Sequence, residues 1–182
     1  MGCIPRREED LVYGLPKLNI VGVEIRGYGA RIHHPMNTSI ATLLEGKGRA
    51  LHAVSTNVTV FEAVQKMNQH KVGAVLVMEG DRLAGIFTER DVLTRVITSN
   101  LDPHLTPITS AMSGKVLTIT PEATVQEVMD IFAEKRCRHL PVVQDGRLVG
   151  LISIGDVSRW VANAHRAEAE SLRQYIAGGL ST

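Results

Sequence analysis

The apolar positions of this chain fall into two stretches with the same rhythm. Val60, Ala63, Val64 and Met67 recur at i, i+3, i+4 and i+7, and Val125, Val128, Met129 and Phe132 repeat that spacing further along. Such a pattern lays one apolar face along a helix. Each helix opens on a Thr-x-x-Glu capping box, Thr59 to Glu62 and Thr124 to Glu127, in which hydroxyl and carboxylate satisfy each other's free backbone N–H groups. Each ends on cations, His70-Lys71 and Lys135-Arg136, which complement the negative end of the helix dipole.

Short apolar runs follow at 74–78 and 140–143. They are too short for helices and rich in β-branched residues, so they predict buried strands. Glu79-Gly80-Asp81 and Asp145-Gly146 are turn signals. They lead into second strands at 82–87 and 147–152, and second helices open near Glu89 and Ile154. Extended pieces at 50–55 and 115–120 precede the capping boxes. The unit β-α-β-β-α therefore occurs twice. The offset is 65 throughout, as from Thr59 to Thr124, Arg82 to Arg147 and Thr88 to Ser153. The expected fold is α/β, with two units related by a pseudo-twofold axis. The repeats occupy residues 38–100 and 101–165. Residues 166–182 extend the last helix to a stop at Gly178-Gly179, either as a solvated tail or as a dimer-contacting helix. Residues 1–37 repeat nothing and receive no role, although 20–25 has the composition of a strand.

Composition narrows the function. The chain has 182 residues, 44% of them hydrophobic, which is enough for a buried core, and its net charge of +1 gives no basic stripe for nucleic acid. Cys3 and Cys137 stand far apart, which fits a reducing compartment rather than a disulfide framework. No apolar run approaches the roughly 20 residues of a membrane span, and charged residues occupy the place of a signal peptide's apolar core. A cytoplasmic location with no membrane partner follows. Met1-Gly2-Cys3 is a weak match to a myristoylation start, with Arg6 where a hydroxyl residue is wanted.

The candidate chemistry lies at Thr88-x-x-Asp91 and Ser153-x-x-Asp156, each at a strand-to-helix junction. A helix N-terminus offers free N–H groups and partial positive charge to phosphate. The hydroxyl can donate, and an Asp one turn in can accept from ribose. Arg90 adds a phosphate-matching fork, whereas its twin is Gly155. The same motif also reads as an ordinary N-cap. Cys137 beside Arg136 and Arg138 invites a redox switch, but its twin is Val72, a packing position, and buried cysteine behaves as a small hydrophobe. His33-His34 lacks a third ligand for metal. Gly27-Tyr28-Gly29 and Gly46-Lys47-Gly48 lack the full phosphate-loop pattern. No catalytic constellation is evident.

These residues resemble the CBS domain, the tandem module named for cystathionine β-synthase. The likeness rests on the T-V-x-E helix starts, His139-Leu140-Pro141-Val142-Val143, Gly146 to Gly150, and the [ST]-x-x-Asp-Val junctions. Phe87 to Asp91 and Lys135 to Pro141 are similar to stand-alone two-CBS proteins. The resemblance covers about residues 38–165. It implies two clefts for adenosine ligands such as AMP, ADP, ATP or S-adenosylmethionine. One would use Thr88, Arg90 and Asp91 with Met112, Val116, Leu117, Cys137, Arg138 and His139. The other would use Ser153 and Asp156 with Lys47, Leu51, His52, Val72, Gly73 and Ala74. The first carries more cationic charge and is the expected site of a phosphorylated ligand. The implied protein is a homodimeric regulatory sensor, not an enzyme. Its adenine nucleotide is a regulatory ligand rather than a catalytic cofactor, and its reader is a target enzyme or transporter.

Overall fold

The computed structural model describes residues 35–48 and 51–178. The chain divides into two units, residues 1–32 and 33–182, and every described residue belongs to the second. The expectations for 1–34, including the strand at 20–25, the Met1-Gly2-Cys3 start and His33-His34, lie outside the described residues.

After a turn of 3-10 helix (Pro35–Asn37) come α1 (Ile40–Lys47), β1 (Ala53–Ser55), α2 (Val60–His70), β2 (Ala74–Glu79), β3 (Arg82–Thr88) and α3 (Glu89–Asp91), which a π-helical stretch Val92–Ile97 continues. The second copy follows as α4 (Ile108–Ala111), α5 (Val125–Lys135), β4 (His139–Gln144), β5 (Arg147–Ser153) and α6 (Ile154–Gly178). The capping boxes form at α2 and α5, and both helices end on a left-handed residue, Lys71 and Arg136. Their apolar faces are buried through Val60, Ala63 and Met67 and through Val125, Val128 and Phe132.

β1 pairs parallel with β2, and β2 antiparallel with β3. β4 and β5 form the matching hairpin, and both hairpins carry a bulge at the corresponding place, Val77/Met78 and Val142/Val143. The strand expected at 115–120 is reduced to a single parallel bridge, Ile119 to Val142. Two backbone bonds hold it there, Ile119 N to Pro141 O at 3.1 Å and Val143 N to Ile119 O at 2.8 Å.

The π stretch has a local cause. Thr94 Oγ1 donates to Arg90 O at 2.8 Å and Thr98 Oγ1 to Thr94 O at 2.7 Å. These hydroxyls take up carbonyls that the helix would otherwise use, and Thr98 N reaches back five residues to Leu93 O instead.

The two repeats exchange their leading helices. α1 opens the first repeat, yet Ile40 and Leu43 are buried with Val125, Val128, Leu140 and Ile152 of the second. α4 opens the second repeat, yet Ile108 and Ala111 are buried with Val60, Val75 and Phe87 of the first. Equivalent backbone bonds fix both crossings. Ile40 N donates to Ala123 O at 2.8 Å and Ile108 N to Val58 O at 3.0 Å, while Val125 N donates to Thr38 O at 2.9 Å and Val60 N to Thr106 O at 2.9 Å. A third cluster joins the two sheets, with Ala74, Leu76 and Ile86 packed against Leu148 and Leu151.

These crossings reveal a second register. Ile40 matches Ile108, so the leading helices are related by an offset of 68, while the rest of the unit keeps 65. Gly46-Lys47 then matches Gly114-Lys115, and Gly48-Arg49-Ala50 is an insertion in the first copy.

Candidate functional site: two clefts between the repeats

The two junctions are built alike. Thr88 N and Oγ1 donate to Asp91 Oδ2 at 2.9 and 2.7 Å, and Asp91 N donates back to Thr88 Oγ1 at 3.4 Å. Ser153 N and Oγ donate to Asp156 Oδ2 at 2.9 and 2.7 Å, with the return bond at 3.3 Å. The capping role is therefore real in both copies, and it fixes both aspartates at the mouths of cavities. Asp91 is buried, and its Oδ1 lies 3.3 Å from Arg95 Nε. The Arg95 guanidinium also donates to the carbonyls of Ala111 and Met112 and to Ser113 Oγ. It thereby ties the first repeat's junction to the chain entering the second.

The first cavity, of about 420 Å³, brings together Thr88, Arg90, Asp91, Val116, Leu117, Cys137, Arg138 and His139. Met112 does not join them. It packs beneath Gly85, where an added Cβ would stand 2.5 Å from Met112 Sδ and 2.9 Å from Ser113 O. Lys115, Lys135, Arg136, Ile86, Ser113 and Leu140 complete the wall. Lys115 escapes a reading in the 65-residue register, and its signal is the Gly-Lys pair shared with Gly46-Lys47. Arg90 spans the cleft to donate to Arg136 O at 3.4 Å, and Arg138 lies 3.9 Å from Glu89. Among the described residues, Lys115, Lys135 and Arg136 have no acidic partner within ion-pair distance.

The second cavity, of about 310 Å³, collects Lys47, His52, Val72, Gly73, Ala74, Ser153 and Asp156, with Lys71 and Leu151. Leu51 is not among them. It lines a small neighbouring cavity and packs against the cluster between the sheets. Here the cation is already engaged, since Lys47 Nζ donates to Asp156 Oδ2 at 2.6 Å and to Leu151 O at 2.9 Å. Burial alone would raise the Asp156 carboxyl, but hydrogen bonds from Lys47 and Ser153 outweigh it and hold the group below its ordinary value. His52 stacks on His70 with ring centroids 4.2 Å apart. Burial first, then the charges of His70, Lys66 and Lys47, lower its imidazole.

His139 stands on the wall of both cavities. Burial lowers its pKa most, Arg138 and Lys47 lower it further, and Glu89 and Asp156 oppose the shift. Burial pushes the Cys137 thiol up, which keeps it protonated at neutral pH, the opposite of what a reactive cysteine needs. Among the described residues, no group of three or more His, Cys, Asp and Glu side chains could hold a metal ion.

A model of the CBS domain matches the sequence twice, at residues 48–98 and 108–163, more than half of the chain. The chain belongs to the CBS-domain family. A mitochondrial CBS domain-containing protein of Arabidopsis thaliana is 38% identical over 152 residues, covering 79% of this chain and 74% of that protein. A protein with CBS domains from Burkholderia ambifaria superimposes with a TM-score of 0.66 at 38% identity, covering 68% of this chain and 93% of its own. A CBS domain protein of Pyrobaculum aerophilum, solved in complex with AMP, shares the fold with a TM-score of 0.60 at 22% identity, covering 69% and 99%. The expected α/β tandem CBS pair is thus the architecture found, with the leading helices exchanged between its two repeats. Among the described residues no helix is long and apolar enough to cross a membrane.

Proposed function

We propose that this CBS pair is a regulatory sensor of phosphorylated adenosine, with the first cleft as its principal site. The observation that carries the reading is the set of cations around one junction. Arg90, Lys115, Lys135, Arg136 and Arg138 share a cavity wall with Thr88 and Asp91, in a protein whose net charge is only +1. Guanidinium groups match phosphate oxygens in a bidentate fork. Ile86, Val116, Leu117, Cys137 and Leu140 supply the apolar surface for a flat base. Asp91 presents an acceptor for ribose. The AMP complex of the Pyrobaculum aerophilum relative supports this ligand class. The same cations disfavour the sulfonium of S-adenosylmethionine, so a nucleotide is preferred over it.

The clefts lie between repeats, so ligand would shift the packing of one against the other. The size of that shift is bounded by the ligand's difference in affinity for the two states. No chemical step is assigned to the chain. A partner protein in the same reducing, cytoplasmic compartment, an enzyme or a transporter, would read the change. The redox alternative at Cys137 finds no support, because its thiol is shifted away from the reactive form.

Calorimetric titration of AMP, ATP, adenosine and S-adenosylmethionine into the full chain tests the reading. AMP or ATP should bind more tightly than adenosine, and Arg138→Ala, which leaves the cap intact, should weaken the nucleotide about tenfold or more. Asp91→Ala should abolish binding in protein that still melts cooperatively. Absence of binding by all four ligands would refute the sensor reading.

A further inference from the structure

Lys47 and Lys115 are twins in the 68-residue register, each following a glycine, Lys47 as the last residue of α1 and Lys115 four residues beyond α4. Lys115 has no acidic partner within ion-pair distance among the described residues, and it faces the first cavity. Lys47 lies inside the second, bonded to Asp156 Oδ2 at 2.6 Å and Leu151 O at 2.9 Å. Asp156 Oδ2 therefore receives three donors, two from Ser153 and one from Lys47. Its other oxygen has Arg159 at 3.8 Å. Asp91 Oδ2, the twin atom, receives only the two donors of Thr88.

The Lys47 ammonium fills the space beside Asp156 that a ribose hydroxyl would need, whereas no cation donates to Asp91 Oδ2 among the described residues. The bridge is also well placed to persist. The Asp156 side chain is only 14% exposed and that of Lys47 35%, so water competes weakly for the carboxylate. The Leu151 carbonyl holds the ammonium from a second direction.

We infer that Lys47 is a built-in occupant of the second cleft, and that this cleft is a latent nucleoside site closed until the ammonium leaves Asp156. The inference rests on the nucleotide reading for its ligand, but its structural core, a sequestered Lys47, does not. The ligand class differs from that of the first cleft. Gly155, Gly73 and Ala74 stand here in place of Arg90, Arg138 and His139, so a nucleoside with little or no phosphate fits the second cleft better. The two clefts of one pair thus sort adenosine compounds by charge, and Lys47 sets the threshold for the second.

Two measurements on the full chain test this. The first needs no nucleotide. In brief acylation read by mass spectrometry, Lys47 should modify several-fold more slowly than its twin Lys115, and Asp156→Asn should remove the difference. Equal rates in the wild type would overturn the lock. The second is calorimetric stoichiometry with adenosine and AMP. Wild type should bind one equivalent and Lys47→Met two. The added site should gain about tenfold in affinity from loss of a charged hydrogen bond that ligand must otherwise displace. Lys47→Arg keeps a cation on Asp156 and should bind one, as should Lys47→Met combined with Asp156→Asn. Two equivalents in the wild type, or one in both wild type and Lys47→Met, would overturn the latent site while leaving the first cleft's reading intact. A protected Lys47 with no ligand bound by any variant would refute the nucleotide reading, and the latent site with it.

Discussion

Asp91 and Asp156 each do two things at once, and the pairing explains why a sequence reading leaves both options open. The reciprocal bonds with Thr88 and Ser153 are ordinary caps, yet the same bonds aim a carboxylate into a cavity. His139 shows how position rather than identity sets behaviour, since burial lowers its imidazole. Free imidazole titrates near pH 6.5. Below that pH the unfolded chain takes up a proton that the folded chain resists, down to its own lower pKa. The unfolded state then binds more protons, so this residue's contribution to stability falls as pH drops through that window. In urea denaturation at about pH 7.5 and about pH 5.5, His139→Gln should lose less stability across the interval than wild type. Equal losses would show that the imidazole is not shifted. The residues around these aspartates were unevenly legible. Thr88 and Asp91 stand out as a motif repeated in both copies, whereas Arg138 and His139 are named by the resemblance to the CBS domain; all four line the first cavity. Lys115 does not stand out, because three residues inserted in the first copy just after Lys47 break the register between the twins. Met112 stands against Gly85 rather than on the cavity wall, and nothing local in the sequence reveals that close approach.

Helices α2 and α5 were readable to within a residue, since capping box, apolar period and terminal cations all agree. The exchange of α1 and α4 was not, because a short apolar helix carries no mark of which repeat it will cover. The partner is chosen by long-range packing that spacing cannot encode. The π stretch after Asp91 depends in the same way on where Thr94 and Thr98 send their hydroxyls. The exchange makes a prediction that opposes sequence proximity. Ile40 is fully buried, and truncating such a residue to alanine costs about 2–5 kcal/mol. Ile40→Ala should therefore accelerate hydrogen exchange first in α5, β4 and β5, although it belongs to the first repeat in the chain. Loss of protection confined to α2, β2 and β3 would contradict the crossed packing.

For the molecule as a whole, the two copies are alike inside and unlike outside. Leu93 and Ile97 are 61% and 62% exposed, one helical turn apart, with Leu105 at 80%. The 65-residue twins of the first two are Ser158 and Ala162. Two large apolar side chains exposed one turn apart on the same helix make a candidate association surface. The second repeat lacks this pair, which points to a self-complementary contact between first repeats in the expected homodimer. In sedimentation the wild type is expected to run as a dimer and Leu93→Glu with Ile97→Glu as a monomer, and an unchanged mass would place the contact elsewhere.

The exchange of leading helices also fixes an order of events on the ribosome. Synthesis proceeds from the N-terminus, and a growing chain generally folds its earlier parts first. Here α1 emerges before the rest of either repeat, but the surface that buries Ile40 and Leu43 is complete only when α5, β4, β5 and the start of α6 have been made. The first repeat, in turn, waits for Ile108 and Ala111 to close its core. The earliest of the described helices to be translated is thus among the last to settle. Neither half of this chain has a finished interior until the other has been written.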